Sequence, residues 1–434
     1  MEAPANNRIL MLLENQTYPR DFRVRREATA LAVAGYRVSV ICPAGPGQPF
    51  RETLNGVHLY RYPQPPEAHG SLGYFWEYGF AMAATFVLSL LVFFREGFDA
   101  VHAHNPPDTF VFIAAFYKLF GKRFVFDHHD LSPEMYEARF PGGGSRLVHG
   151  TLVFLERLTC RLADRVIATN ESYKKIEMER DRVPESRSTV VRNGIELQDL
   201  PPVKPDHILQ SEGKTTIGYI GVMGHQDGVD YLLRALGHLF HDLNRTDFSC
   251  VLVGGGDAFP YLKSLAEQLG ISEQILFTGM VDHSEISRFL GVADICVAPE
   301  PSTPYNDCST AVKLMEYMSL AKPIVAFDLT EHRFTAQGAA AYVKPNDELE
   351  FARTIAELMD DPVRRKKMGQ LGYQRMKTEL AWQYSIPKLL QVYRAVLPAP
   401  GLSPQASRRE GESTIRSQRA ARERTGSCQA SNPR

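Results

Sequence analysis

Short apolar runs rich in β-branched and aromatic residues recur along this chain. Each closes on a polar or glycine-rich turn and leads into a stretch of helical character. RILMLL (8–13), YRVSVICP (36–43), DAVHAH (99–104), FVFDHH (124–129), RVIAT (165–169) and VVRNGIEL (190–197) form a first set. TTIGYIGVMG (215–224), SCVLVGGGD (249–257), ILFTGMV (275–281), DICVAPEP (294–301) and PIVAF (323–327) form a second. Strand-length runs alternating with helical segments predict βαβ units and therefore parallel sheets. In such sheets functional residues gather at the C-terminal ends of the strands. Between the two sets, Pro201, Pro202 and Pro205 punctuate a polar stretch that reads as a linker, 201–213.

The most informative segment of the second set is Asp307–Phe327, DCSTAVKLMEYMSLAKPIVAF. It reads as a loop, a short helix, a tight turn and a buried strand, with Ser309 or Thr310 as helix N-cap and Pro323 just past the helix end. Thr310, Lys313 and Glu316 recur every three residues and share one helix face, while Leu314, Met315 and Met318 can pack inward. A helix N-terminus with hydroxyls, backbone N–H groups and a lysine suits an anion, and a carboxylate one turn further in suits sugar hydroxyls. Together they point to a nucleotide diphosphate on the helix end with its ribose on Glu316. The competing reading is a capped helix carrying a Lys313–Glu316 surface pair.

Other stretches narrow the choice. A helix capped by Asp21 and ending near Gly35 completes a β–α–β start, but its turn, ENQTYPRD, is not GxGxxG, which weighs against a dinucleotide oxidoreductase. Gly221 and Gly224 let backbone approach a phosphate, ahead of a helix at Val229–Phe240. His102, His104, His128 and His129 lie at strand ends with Asp127, Asp130 and Glu134; without a matching ligand helix they make a poor zinc pattern, and no metal is expected. The run 78–94, YGFAMAATFVLSLLVFF, is seventeen residues between Glu77 and Arg95, short of the ~20 needed to span a bilayer. It reads as a helix in the core or lying on a membrane surface. Further helices are expected at Phe351–Met359, Pro362–Thr378 and Trp382–Val396.

The phrases HAHNPPD, FDHHDLSPE, IATNESY, VVRNG, YIGVMGHQDGVDYLLRAL, ADICVAPEP, ST-x-x-K-x-x-EYM and PIVAFDL, spread in order over residues 8–397, carry a resemblance. They are similar to the exopolysaccharide and O-antigen branch of the retaining sugar-nucleotide glycosyltransferases of family four. The resemblance implies an α/β chain of GT-B architecture, two Rossmann-like domains facing across a cleft. Residues 1–200 would form the acceptor domain, 214–380 the nucleotide-sugar domain, and 381–397 a helix crossing back to the first domain. It places His129 beside the reacting sugar and Gly279, Met280 and Val281 along the nucleobase. Gly221, Gly224, Ser309, Thr310, Lys313 and Glu316 become the remaining donor contacts. Asn105, His128, Asp130 and Glu134 are the acceptor-side candidates.

Two departures from the broad family matter. Where an Arg and a Lys usually follow the first strand of the second domain, this chain has Met223, His225, Gln226 and Asp227, which leaves Lys313 as the cation for the leaving diphosphate. Eight positions before Glu316, where a Glu is usual, stands Cys308, so Asp307 or Asn306 takes its sugar-contacting role. The catalytic candidates are thus His129, Lys313 and Asp307.

The implied reaction moves a sugar from a nucleotide sugar, UDP preferred, to an acceptor hydroxyl with retention. The acceptor would be a saccharide, lipid-linked or part of a growing surface polysaccharide. No metal cofactor is expected, because helix ends and Lys313 neutralise the diphosphate and no DxD motif is present. The alternatives are a GT-B sugar-nucleotide epimerase and a catalytically silent membrane or assembly module. With 434 residues and a formal net charge of −1, the chain is long enough for two or three domains and is not built for nucleic acid. Its six cysteines show no CxxC pair or regular spacing, which suits a reducing cytoplasm, and Ile9–Leu13 is too short for a signal-peptide core. The expected location is cytoplasmic, with peripheral contact at the inner face of the cell membrane. Residues 403–434 carry seven Arg against three Glu without periodicity, so 398–434 reads as a disordered tail.

Overall fold

The computed structural model describes residues 7–64, 71–140, 142, 144–200 and 213–397. Nearly all of the expected linker and the whole expected tail lie outside them. Two sheets form. The first contains β1 (Arg8–Leu12), β2 (Arg37–Pro43), β3 (Arg51–Leu54), β4 (Val57–Tyr62), β5 (Ala100–His104), β6 (Arg123–His128), β7 (Arg165–Ala168) and β8 (Ser188–Val190). Their order is β3-β4-β2-β1-β5-β6-β7-β8, parallel except for the β3–β4 hairpin. The second contains β9 (Thr215–Ile220), β10 (Phe248–Val253), β11 (Ile275–Gly279), β12 (Ile295–Ala298), β13 (Ile324–Phe327) and β14 (Ala340–Val343), in the order β11-β10-β9-β12-β13-β14.

Alternation along the parallel strands builds two cores per sheet. Ile9, Met11, Val125 and Ile167 face the Phe22–Val33 helix, and the opposite-facing Leu10, Leu12, Phe124 and Phe126 are covered by helices Ser71–Arg95, Phe110–Lys118 and Arg146–Leu162. Because both faces are apolar, polar chemistry is left to the strand ends. Strand order reverses at β1/β5 in one sheet and at β9/β12 in the other, and these switch points open the crevices where ligands bind in such folds.

Several boundaries differ from expectation. The Phe22–Val33 helix is capped by Asp21 Oδ1 on Val24 N–H at 2.9 Å, as its sequence suggests. VVRNGIEL is not a strand: β8 ends at Val190, where that run begins. The helix expected at 78–94 spans Ser71–Arg95. Ala81, Leu88 and Val92 on one of its faces are buried in the sheet's core, while Val87 and Phe94 stay exposed. Its stretch Trp76–Arg95 is long and apolar enough to cross a membrane, yet a helix with one face in a sheet core cannot be a free span. The helices Glu348–Asp360 and Val229–His241 run slightly longer than expected, and Pro362–Arg375 stops early, followed by a π turn at Met376–Leu380.

The chain then returns to the first domain. The expected helix from Trp382 is broken into a 3-10 turn, Trp382–Tyr384, and a helix, Ile386–Val396. Leu389, Val392, Tyr393 and Val396 join the core of the first sheet. The crossing is made by backbone at Gly194: Trp382 N–H donates to the Ile195 carbonyl at 3.0 Å, and a Cβ on Gly194 would lie 2.5 Å from the Leu380 carbonyl oxygen. Since backbone cannot swing aside as a side chain can, Gly194→Val should cost about 1–3 kcal/mol. A thermal melt should show this as a clear drop in Tm. Gly79→Ala, in a helix with open space around it, should be neutral or slightly stabilising. An unchanged Tm for Gly194→Val would mean that the crossing is loosely packed.

Candidate functional site

A cavity of roughly 290 Å³ lies at the β9/β12 switch point, lined among others by Gly221, Asp227, Glu300, Asn306, Lys313 and Glu316. The Val312–Ser319 helix opens onto it, with Leu314, Met315, Tyr317 and Met318 turned into the core. Lys313 Nζ lies 2.5 Å from Glu300 Oε1, donates to Tyr219 OH at 3.1 Å, and stands 4.5 Å from the centre of the Tyr219 ring. Burial works against its charge, but Glu300 first, then Tyr219 and Asp227, hold the ammonium above the ordinary lysine range. Gly221 makes this possible: its φ of +151° suits glycine, and a Cβ there would lie 3.2 Å from Lys313 Nζ. Glu316 is the next polar group along the helix. Burial pushes its carboxyl up from 4.5 to about 7, against the pull of Lys313 and of Arg26 from the first domain.

Loop 302–311 forms the outer wall and is held by the first domain. Asn170 Nδ2 donates to the Cys308 carbonyl at 2.8 Å and to Thr310 Oγ1 at 3.0 Å. Thr310 donates in turn to Glu331 (3.3 Å), which also accepts from Ser172 Oγ (2.7 Å) and Arg192 Nη1 (3.4 Å). Ser309 Oγ donates to the Tyr305 carbonyl and meets the Tyr173 hydroxyl at 3.1 Å. The N-cap is therefore Ala311, without a side-chain cap. The hydroxyls expected to cap the helix join the domains instead; the Leu314 N–H turns back to the Ala311 carbonyl at 3.2 Å, and the Val312 and Lys313 amides are the ones left without intrahelical acceptors.

Across the cleft, the β1/β5 switch point holds a buried polar cluster. Arg23 grips Asp127 with Nε and Nη2, both at 2.7 Å, and reaches Glu27 at 3.1 Å. His104 Nδ1 lies 2.9 Å and His129 Nδ1 3.3 Å from Asp127 Oδ2, while Tyr393 OH meets His102 Nδ1 at 2.6 Å. Burial disfavours charge on Asp127, but Arg23 and the two imidazoles hold it well below the usual carboxylate range. Glu27, His102, His104 and Asp127 offer ligand atoms within 4.8 Å of one another; Arg23, lying against both carboxylates, already supplies a cation there.

The sequence candidates separate accordingly. Gly221, Ser309, Thr310, Lys313 and Glu316 come together at the cavity. Gly224 is outside its lining, with its N–H on the Asp227 carboxylate at 3.0 Å. Gly279 ends β11 and the exposed Met280 follows it, both outside the cavity lining. Of the Asp307/Asn306 pair, Asn306 lines the cavity, and the Asp307 carboxylate turns away to Ser302 Oγ at 3.0 Å. The Lys313–Glu316 surface pair gives way to the Lys313–Glu300 pair.

On the first domain, Asp130 reaches the second, accepting from Tyr305 OH at 3.5 Å, and the adjoining His129, 11% exposed, rests on Asp127 outside the cavity lining. His128 does not face an acceptor: it is fully buried within 3.4 Å of Glu156 and 3.3 Å of Glu177. Burial lowers its basicity, yet the two carboxylates outweigh this and keep it well above the ordinary imidazole range. Asn105 is a buried clamp whose Oδ1 accepts the His129 and Asp130 N–H groups, and Glu134 is engaged by Arg180. Glu300, Tyr219, His332 and Arg23 were not foreseen. Glu300 stood at a strand's C-terminal end, where position alone could have marked it.

Residues 23–199 match the family described as Glycosyltransferase Family 4, and residues 214–361 match Glycosyl transferases group 1. A glycosyltransferase of Methanocaldococcus jannaschii is 23% identical over 393 residues, covering 86% of this chain and 93% of that protein. Among solved structures, sucrose-phosphate synthase of Thermosynechococcus elongatus superposes with a TM-score of 0.73 at 18% identity, covering 90% of this chain and 98% of its own. The Anabaena protein HepE in complex with UDP and glucose gives 0.67 at 16%, covering 88% and 98%.

The Glu316 environment makes a stability prediction. A carboxyl raised from 4.5 to about 7 is neutral in the fold below 4.5 and must ionise as pH climbs past 7. Its unfolded counterpart ionises earlier, so folding loses stability between those values. Glu316→Gln removes that loss. Its Tm should exceed the parent's at pH 8, by the equivalent of on the order of 2–3 kcal/mol, and converge on it near pH 4.5. A pH-independent difference between the two melting curves would place the carboxylate in water.

Proposed function

We propose that this chain, a nucleotide-sugar glycosyltransferase of the family-four type on the GT-B fold, takes a uridine diphosphate sugar and passes the sugar to a saccharide hydroxyl. The observation carrying this reading is the cavity at the β9/β12 switch point, where the start of the Val312–Ser319 helix, the Lys313 ammonium and the Glu316 carboxyl converge around the cleared space of Gly221. The binding of UDP and glucose by HepE supports uridine as the base. In the reaction the bond from the anomeric carbon to the β-phosphate oxygen breaks. The acceptor oxygen bonds that carbon, and its proton leaves with the diphosphate. Family resemblance supports retention of configuration.

Charge on the leaving diphosphate grows in the transition state, so preorganised donors contribute most there. The first-turn amides and Lys313 are suited to that role, which is why we expect no requirement for a divalent metal. Lys313 is paired with Glu300 and must shift part of its interaction to the diphosphate when donor binds. Glu316 is suited to accept the ribose hydroxyls. His129, held at the opposite edge of the cleft, is suited to meet the transferred sugar, and Asp130 to meet the acceptor.

The acceptor we favour is lipid-linked, with the enzyme lying on the inner face of the membrane. The helices covering the outer face of the first sheet leave Phe94, Leu119, Leu147 and Phe154 exposed, each above 60%. Basic residues Lys118, Lys122, Arg157 and Arg161 lie on or beside the same helices, and apolar side chains flanked by basic ones suit an anionic leaflet.

Two experiments test this reading. UDP-sugars should raise Tm more than GDP- or ADP-sugars at equal concentration, and Lys313→Ala should cut kcat by roughly a hundredfold with a smaller rise in donor KM. Turnover within a few-fold of the parent would mean that another cation serves the diphosphate. For the membrane, Phe94→Ser combined with Leu119→Ser should lower co-sedimentation with anionic vesicles and leave the UDP-sugar Tm shift intact; unaltered sedimentation would remove this face from the membrane.

A further inference from the structure

The carboxylate of Asp127 receives four contacts. Arg23 Nε and His104 Nδ1 reach Oδ2 at 2.7 and 2.9 Å, Arg23 Nη2 reaches Oδ1 at 2.7 Å, and His129 Nδ1 reaches Oδ2 at 3.3 Å. The side chain is fully buried, and the bidentate guanidinium keeps it ionised. An ionised carboxylate only accepts hydrogen bonds. Each ring nitrogen facing it must therefore carry a proton.

From this we infer that Asp127 is a positioning residue for His129: it holds the imidazole as the Nδ1–H tautomer, with Nε2 turned to the cleft as the polar atom offered to the transferred sugar. The inference rests on the reading above that His129 borders that sugar. The backbone on which the ring stands is fixed independently. Asn105 Oδ1 accepts the N–H groups of His129 and Asp130 at 2.8 and 3.1 Å, and Asn105 Nδ2 donates to the Asp130 carbonyl at 2.6 Å. With the main chain clamped by Asn105 and Nδ1 tied to Asp127, the ring has one orientation.

The surrounding charges agree with that assignment. Burial lowers the basicity of His129, but the Asp127 hydrogen bond and charge, followed by Asp130, more than offset it, while Arg23 acts in the opposite sense. Arg23, in turn, has two carboxylate partners, Asp127 and Glu27. Losing one leaves it paired with the other, so Asp127 can be neutralised without stranding a buried cation. A structural role alone would need only the Arg23–Asp127 pair; the second imidazole on Oδ2 is what points to His129.

The test is direct observation of the tautomer. Histidine is labelled with 15N, the His129 ring signals are assigned by their absence in His129→Gln, and the parent is brought to the alkaline limb where the ring is neutral. We expect the proton on Nδ1 in the parent. In Asp127→Asn, whose amide can donate to Nδ1, the proton should move to Nε2. We expect the same variant to lose about tenfold in kcat, one charge-assisted hydrogen bond's worth, with donor KM within twofold. An Nε2–H tautomer in the parent overturns the inference even if Asp127→Asn fails to fold, and so does an unchanged tautomer in a folded Asp127→Asn. If the tautomer behaves as expected while His129→Gln turns over like the parent, the placement by Asp127 stands and the reading of His129 as a sugar contact fails.

Discussion

Everything polar in this protein is arranged by one constraint: a parallel strand covered by helices on both faces has no wet side. Its side chains alternate between two dry cores, so groups that must meet a substrate are confined to the few residues after the strand ends. Both sheets obey it. The first gathers Asp127 and His129 where β6 ends, beside His104 at the end of β5 and Arg23 in the helix after β1. The second gathers Gly221, Glu300 and the Val312–Ser319 helix after β9 and β12. The exceptions are expensive and compensated. His128 points into the far core and is tolerated because Glu156 and Glu177 flank its ring, replacing lost hydration with hydrogen-bonded charge.

The two walls of the cleft are electrostatically different. On the donor side a lone ammonium, Lys313, stands among the carboxyls of Glu300, Asp227 and Glu316. Burial disfavours the charged forms of Asp227 and Glu316, while Lys313 pulls both the other way. Among the described residues, Lys313 is the one lysine or arginine side chain in the cavity's lining, the usual Arg and Lys after β9 being absent. On the opposite wall the guanidinium of Arg23 balances Asp127, and the imidazoles share what remains. Loop 302–311 joins the walls through Asn170, Tyr173 and Glu331, so the hydroxyls lining the cavity also take part in the hydrogen bonds that hold the domains together.

Most strands were legible because each apolar run stops sharply at a polar residue, a glycine or a proline. The β3–β4 hairpin was missed although its turn, Asn55–Gly56 with both φ positive, is a strong short-range signal; the run before it, RETL, is short, charged and unlike core. The strand β14 was missed because it is only four residues long and opens on two alanines, which are depleted in strands; pairing with its neighbour β13 makes it one. In the site, Lys313 and Glu316 were legible from helix spacing, since neighbours on a helix are fixed by local geometry. Glu300 and Asn170 were not, because their partnerships join distant segments. The doublet His128–His129 misled for a simpler reason: successive residues point to opposite faces, so two imidazoles side by side in sequence serve different rooms.

The return of the chain at Gly194 has a mechanical meaning. A protein whose halves are joined by a single segment can bend, twist and slide about it. Here the polypeptide passes from one half to the other after residue 200 and comes back near residue 381, where the backbones of Gly194 and Leu380 lie against each other. The packed contact of Gly194 with Leu380 ties the halves together a second time, beyond the continuity of the chain. A relative movement that keeps this tie has fewer directions open to it than a single tether would leave, so the free energy of a ligand is spread over fewer of them.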